Sequence, residues 1–399
     1  MSSVATQRTR VFAPELDVLR GIAAVLMILN HAGFRLLSGT DASTSPSAVA
    51  VFLGGFAPVV FFFATGFGIA LSSRASAGAV NMRSVVWKAA LLVVADQWFY
   101  WRHGVAGGFD FFGFIALASL MVSFIASRRR PVLICLALAF VLLVLRYAVG
   151  PLLRGSLSQF ALWNWVTGVQ AVEHVSYPLS PWMVYPLLGF VLGWFYEPIQ
   201  SLAPGTRLRL YARGVACAVG FGGLSLVLAL VFKSSFFRWG MVSAGFLVLS
   251  LSVLTAAALM AWWLSVSHPR LASSLALRGV ASFAVIPIHY AMLDLCEMLL
   301  PLPLAQWAYA LLAVVIIAAA IFLSSRFSTL VSGVSNPTFR RTLVPALIAA
   351  LLALSLGVIA GVTRNAAAIA LMTLLAQLFV AALLGVKPQA AQRSAALPA

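Results

Sequence analysis

Arg20 and His31 lie eleven residues apart in the first long apolar stretch, which runs from Leu16-Asp17-Val18-Leu19-Arg20-Gly21 to Ile28-Leu29-Asn30-His31. Eleven residues are about three turns of α-helix, so both side chains project from nearly one face, roughly 16 Å apart along the axis. An imidazole is the usual general base near neutral pH, and a guanidinium holds phosphate or carboxylate groups. Asp17, three residues before Arg20, is within pairing reach of it on a helix. Taken as packing residues, the same groups are a neutralised charge pair at a membrane edge and a hydrogen-bonded imidazole. Taken as functional residues, they face a protein interior or a water-filled cavity, the usual place for ionisable groups at membrane depth.

Other polar side chains in apolar surroundings carry the same two readings. Arg83 and Lys88 bracket the start of the third apolar stretch; they either flank it as topology signals or form an anion site for phosphates. Asp96 and Gln97, and the group His289, Asp294 and Glu297, lie inside or near spans. The acids could orient a histidine or relay protons, and they could equally pair with Arg or Lys of neighbouring helices. Glu173 and His174 sit in a loop, where they either contact a substrate or form a solvated pair. Asn30 points to a different face from His31 and is suited to a bond between helices. Cys135, Cys217 and Cys296 share no metal-ligand spacing and read as small buried hydrophobes; no metal site is expected.

The elements that must position these groups are membrane spans. Hydrophobic residues make up 62% of the 399-residue chain and charged ones 9%, against about 25% charged in soluble domains. Apolar runs of about 20 residues are long enough to cross a hydrocarbon core as helices. The fold class is therefore all-α, a polytopic transmembrane helical bundle of about 10–12 spans. Twelve stretches are predicted, at 16–37, 50–71, 84–101, 109–127, 132–150, 181–197, 213–232, 241–264, 280–299, 305–324, 342–362 and 366–386. The first is too long, and Arg20 too poorly placed, for a cleavable signal.

Orientation follows from the loops. With the N-terminus in the cytoplasm, 17 of the 26 Lys and Arg residues fall on that side and both termini are inside. Seven fall outside: Arg35, Arg102, Arg146, Arg154, Lys233, Arg238 and Arg364. The net charge of +17 is thus a topology signal, and no nucleic-acid partner is expected. The longest loop, about 151–180, carries Trp163 and Trp165 and reads as an interfacial or re-entrant segment. The end of the chain, 387–399, reads as a short polar cytoplasmic tail.

Glu15-Leu16-Asp17-Val18-Leu19-Arg20-Gly21, running on to His31, resembles the opening of the acyltransferase-3 family of integral membrane acyltransferases, whose hallmark is an Arg and a His separated by ten residues. Phe61-Phe62-Phe63-Ala64-Thr65-Gly66-Phe67 is similar to that family's second-span pattern, and Ser282 to His289 loosely matches a later one. The resemblance implies a core of about ten helices over residues 1–325, with 326–386 an added helix pair. It implies an acetyl-CoA or other acyl-CoA donor reached from the cytoplasm, and O-acylation of a glycan or glycoside of the cell envelope at a bacterial inner membrane. It makes His31 the catalytic base and Arg20 its partner, with Asp17 beside them. The family's paired arginines at the third span have only an imperfect match in Arg83 and Lys88, and Glu173 lies in the region of a family glutamate whose context differs. With His174 and His289, Glu173 is taken as a candidate acceptor contact. A proton-coupled carrier of a sugar-like substrate is the alternative of a different class, weakened by the lack of an internal repeat.

Overall fold

The computed structural model describes residues 13–76, 80–105, 107–157, 159–232, 243–333, 337–361 and 363–385. Among the predicted topology signals, Arg8, Arg10, Lys233, Arg238, Lys387 and Arg393 lie outside the described residues, as does the 387–399 tail. The described chain is helical throughout. In order come α1 (Pro14–Leu36), α2 (Asp41–Thr44), α3 (Pro46–Gly54), α4 (Ala57–Ala75), α5 (Met82–Trp101), α6 (Phe111–Ala126) and α7 (Pro131–Val144). A π-helical turn (Leu145–Val149) leads to α8 (Gly150–Leu152), α9 (Arg154–Leu157), α10 (Ala161–Thr167), α11 (Leu179–Trp182), α12 (Val184–Gln200) and α13 (Pro204–Phe232). The remainder are α14 (Ala244–Ser267), α15 (Pro269–Leu275), α16 (Ala281–Leu299), α17 (Gln306–Gly333), α18 (Pro337–Ile359) and α19 (Ala366–Gly385).

All twelve predicted stretches contain a helix. Ten helical segments among the described residues are long and apolar enough to cross a membrane, so the protein is a multi-pass integral membrane protein. The two others differ for physical reasons. Helix α5 has 20 residues but carries Arg83, Lys88 and Asp96. Helix α6 has 16, about 24 Å at 1.5 Å per residue, short of a core of about 30 Å. The predicted second span is two helices, α3 and α4, and the 151–180 loop holds the short helices α9 and α10.

Two compact units divide the chain. One holds residues up to 19, 58–86 and 114–269. Within it α4 and α12 approach closely because glycines face backbone: a Cβ on Gly189 would lie 2.0 Å from the Phe63 carbonyl oxygen, and one on Gly66 1.8 Å from that of Pro186. Small residues at helix crossings are the usual means of close packing in membranes. Phe62, Phe114, Tyr177 and Trp182 form an aromatic cluster in this unit. The Arg146 guanidinium donates to the Gly168 carbonyl, and the Ser180 hydroxyl donates to the Leu142 carbonyl at 2.5 Å.

The second unit holds 20–57, 87–113 and the chain from 270 on. Helix α3 lies against α1, where a Cβ on Gly54 would meet the Leu26 carbonyl oxygen at 2.4 Å. The Asn30 amide donates across this contact to the Val51 carbonyl at 2.8 Å, the inter-helix bond expected of it. Helix α17 joins α1 through the Tyr309 hydroxyl, which donates to the Leu29 carbonyl at 3.0 Å. Helix α19 reaches α5 through the fully buried Gln377, whose amide donates to the Ala95 carbonyl at 3.3 Å. Of the three thiols, all free, Cys135 is buried and Cys296 half-buried, whereas Cys217 is exposed on α13 rather than buried as expected.

Candidate active site

His31 is gripped in the second unit by the same neighbours that fix α1. Bonds from Asn30 to α3 and from α17 to Leu29 fix the two residues just before it. Helix α16 completes the site by presenting two consecutive side chains, His289 and Tyr290. His31 Nδ1 lies 2.9 Å from His289 Nε2, with the rings stacked at 5.2 Å and 19°. The Tyr290 hydroxyl lies 3.4 Å from His31 Nε2. His289 is fully buried, and its Nδ1 lies 3.0 Å from the Val285 carbonyl oxygen. Phe99 of α5 packs edge-on against Tyr290.

One turn further along α1, and one to two turns further along α16, is an ion network. Arg35 Nε donates to Glu297 Oε1 at 2.5 Å, and Arg35 Nη2 to Asp294 Oδ1 at 2.6 Å and to Glu297 Oε2. Arg102 Nη1 stands 3.8 Å from Asp294 Oδ2. Arg102 Nε donates to His103 Nε2 at 3.1 Å. Partial burial first, and the Arg102 charge second, hold the His103 imidazole below its ordinary value, which keeps it a neutral acceptor. The two acids of α16 therefore belong to arginines. Neither is hydrogen-bonded to a histidine here.

The remaining predicted residues have distinct fates. Asp96 is fully buried and accepts from the backbone N–H of Asp110 at 2.9 Å and of Phe112 at 3.0 Å. These are donors at the start of α6 that a helix cannot satisfy itself, so Asp96 is a capping residue. Gln97 donates to the Gly108 carbonyl at 2.9 Å. Arg83 and Lys88 are exposed on α5. In the first unit, Asp17 is buried on α1, while Glu173 and His174 are exposed and pair with each other at 3.4 Å. Arg20, in the second unit, is half-buried. The first unit also has a cavity open to its surroundings, lined by Leu16, Leu19, Phe63, Phe67 and Trp262 among others. At its edge the Tyr196 hydroxyl donates to Glu15 Oε2 at 2.6 Å. Sequence reasoning missed Tyr290 and Arg35; their spacing from His289 and His31, one and four residues, was the available signal.

A bundle of membrane-spanning helices holding a hydrogen-bonded histidine pair, His289 fully buried and His31 partly so, defines the class: a polytopic membrane protein. Residues 13–217, just over half the chain, match the family described as heparan-α-glucosaminide N-acetyltransferase, catalytic. The chain belongs to that family, and with it to the membrane acetyltransferases that use acetyl-CoA. It is this family, rather than acyltransferase-3 itself, that the match names; the two are broadly related membrane acyltransferases. The comparison with curated proteins finds no match. His31, Arg20, Asp17, Arg83, Lys88, Glu173 and His174 lie inside the matched segment, and His289 lies beyond it.

Proposed function

We propose that this protein moves a short acyl group, acetyl, from cytoplasmic acetyl-CoA to an amino or hydroxyl group of a cell-envelope glycan or glycoside, with His31 as general base. The hydrogen bond that engages His31 at Nδ1 carries this reading, since Nε2 then meets the Tyr290 hydroxyl at 3.4 Å, a contact long enough for the acceptor to displace. In the reaction, the acceptor N–H or O–H attacks the thioester carbonyl carbon and Nε2 takes its proton. The C–S bond then breaks, and the imidazolium returns the proton to the departing thiolate of CoA. The family description favours an amine acceptor; the first-span motif favours a hydroxyl.

Arg20, nearer the start of α1, serves the donor's phosphate or pantetheine groups, with Asp17 tempering its charge. Arg83 and Lys88, exposed on α5, are further cations suited to the donor's phosphates. Glu173 and His174, exposed where an external substrate arrives, contact the acceptor. Helices α18 and α19 are an addition to the core. Among the described residues ten helical segments can span, or twelve with α5 and α6; both are even numbers, in keeping with termini on one side, the cytoplasmic one, of a bacterial inner membrane.

The test uses radiolabelled acetyl-CoA and methyl α-glucosaminide, which offers an amine and hydroxyls together. Wild-type protein transfers label, and mild alkali distinguishes the amide, which survives, from the ester, which does not. His31→Ala loses transfer while eluting from a sizing column as wild type does. A folded His31→Ala protein that still transfers label overturns the reading.

A further inference from the structure

The hydrogen bonds around His31 determine which of its nitrogens carries the proton. A backbone carbonyl only accepts. The Val285 oxygen, 3.0 Å from His289 Nδ1, therefore requires a proton on that nitrogen. A neutral imidazole with its proton on Nδ1 has a bare lone pair on Nε2. That lone pair lies 2.9 Å from His31 Nδ1, so His31 Nδ1 must donate. The opposite tautomer of His31 would bring two lone pairs face to face at that distance. His31 is left with its lone pair on Nε2, opposite the Tyr290 hydroxyl at 3.4 Å.

We infer that His289 is the positioning residue of this acetyltransferase: it holds the base in the tautomer that reacts. The inference rests on the reading of His31 as the base and goes beyond it. A carboxylate more commonly does this work, and the acids within reach on the same helix are Asp294 and Glu297. Both are bound to Arg35 instead. The chain of donors runs from His31 to His289 to a helix carbonyl and contains no anion. The imidazolium formed in the reaction consequently keeps its proton on His31 with no neighbouring carboxylate in contact to stabilise it. That suits it to hand the proton on to the leaving thiolate. Tyr290 stands where the acceptor's nucleophilic atom must enter, at a distance long enough to be displaced readily.

His289→Leu removes the acceptor, and His289→Gln restores one, because the glutamine side-chain oxygen reaches about as far as Nε2. His289→Leu lowers kcat by about 10²- to 10⁴-fold, the scale seen when a catalytic histidine loses the group fixing its tautomer, with KM for acetyl-CoA within about threefold. His289→Gln recovers kcat to within about tenfold of wild type. In ¹⁵N spectra of histidine-labelled protein, His31 shows an unprotonated Nε2 in wild type and His289→Gln, and a mixture of tautomers in His289→Leu. If His289→Leu retains wild-type kcat while His31→Ala is inactive, the positioning role is overturned and the base survives. If the Leu and Gln variants are equally impaired, His289 is a packing residue and the inference fails. Activity in His31→Ala removes the underlying reading instead.

Discussion

Replacing Arg35 by Met keeps the apolar stem and removes the guanidinium that joins α1 to α16. The two carboxylates it leaves behind are unequal: Asp294 is 13% exposed and Glu297 36%. Removing one partner of a buried pair costs about 3–5 kcal/mol, because a charge is left uncompensated out of water. An exposed pair contributes about 0–1 kcal/mol. Asp294 retains Arg102 at 3.8 Å, which offsets part of its loss, and Glu297 keeps access to solvent. The expected destabilisation is about 2–4 kcal/mol, read as a Tm lower by roughly 2–5 °C in a chain of this length. Thermal unfolding of the purified protein in detergent would be measured for Arg35→Met, Asp294→Asn and the double variant. The second change neutralises the carboxylate orphaned by the first, so the double variant loses less than the sum, with a coupling of about 1–3 kcal/mol. Arg35 stands one turn from His31, so kcat falls in Arg35→Met as well. A coupling below about 0.5 kcal/mol, the scatter expected for independent sites, would refute the argument that this pair holds the two helices in register.

Asp96→Ala strips two backbone donors of their acceptor and lowers stability by about 2 kcal/mol, whereas Asp96→Asn keeps one acceptor oxygen and loses about half of that. Unfolding midpoints should rank wild type, Asn, Ala, with activity following the folded fraction; a folded but inactive Asp96→Asn would mean that the carboxylate moves protons after all. Gly189→Ala places a methyl group 2.0 Å from the Phe63 carbonyl oxygen, so α4 and α12 must separate, at a cost of about 1–3 kcal/mol. Gly220→Ala, which meets nothing within 4 Å, is the comparison; equal midpoints for the two variants would show that the close crossing is dispensable.

Much of the fold was legible because hydropathy is a local property of the chain. Every predicted span contains a helix, and the two that fall short of a full apolar crossing lie where local composition is ambiguous. Helix α5 carries three charges and α6 stops at 16 residues, yet both looked like crossings in outline. Three of the seven basic residues that ran against the orientation bias have a partner that explains them. Arg35 and Arg102 meet Asp294, and Arg146 meets the Gly168 carbonyl. Each answers a polar group inside the protein, which loop counting cannot see. Asp96 was recognisable as a buried acid, but its partners are backbone groups 14 and 16 residues later, presented only once the turn before α6 has formed.

The amino-acid sequence by itself determined that this is a multi-pass helical membrane protein, which helices are apolar enough to span, and that His31 stands at membrane depth on the first of them. Those properties depend on the order of residues over a few turns, and the chain spells them out directly. Only the tertiary structure decided what His31 does with its two nitrogens. Its partner is 258 residues away, and the acids that could equally have oriented it are bound to arginines one to two turns beyond. Hydrogen bonding discriminates over tenths of an ångström, and that precision arises when helices pack, not from the spacing of residues along any one of them.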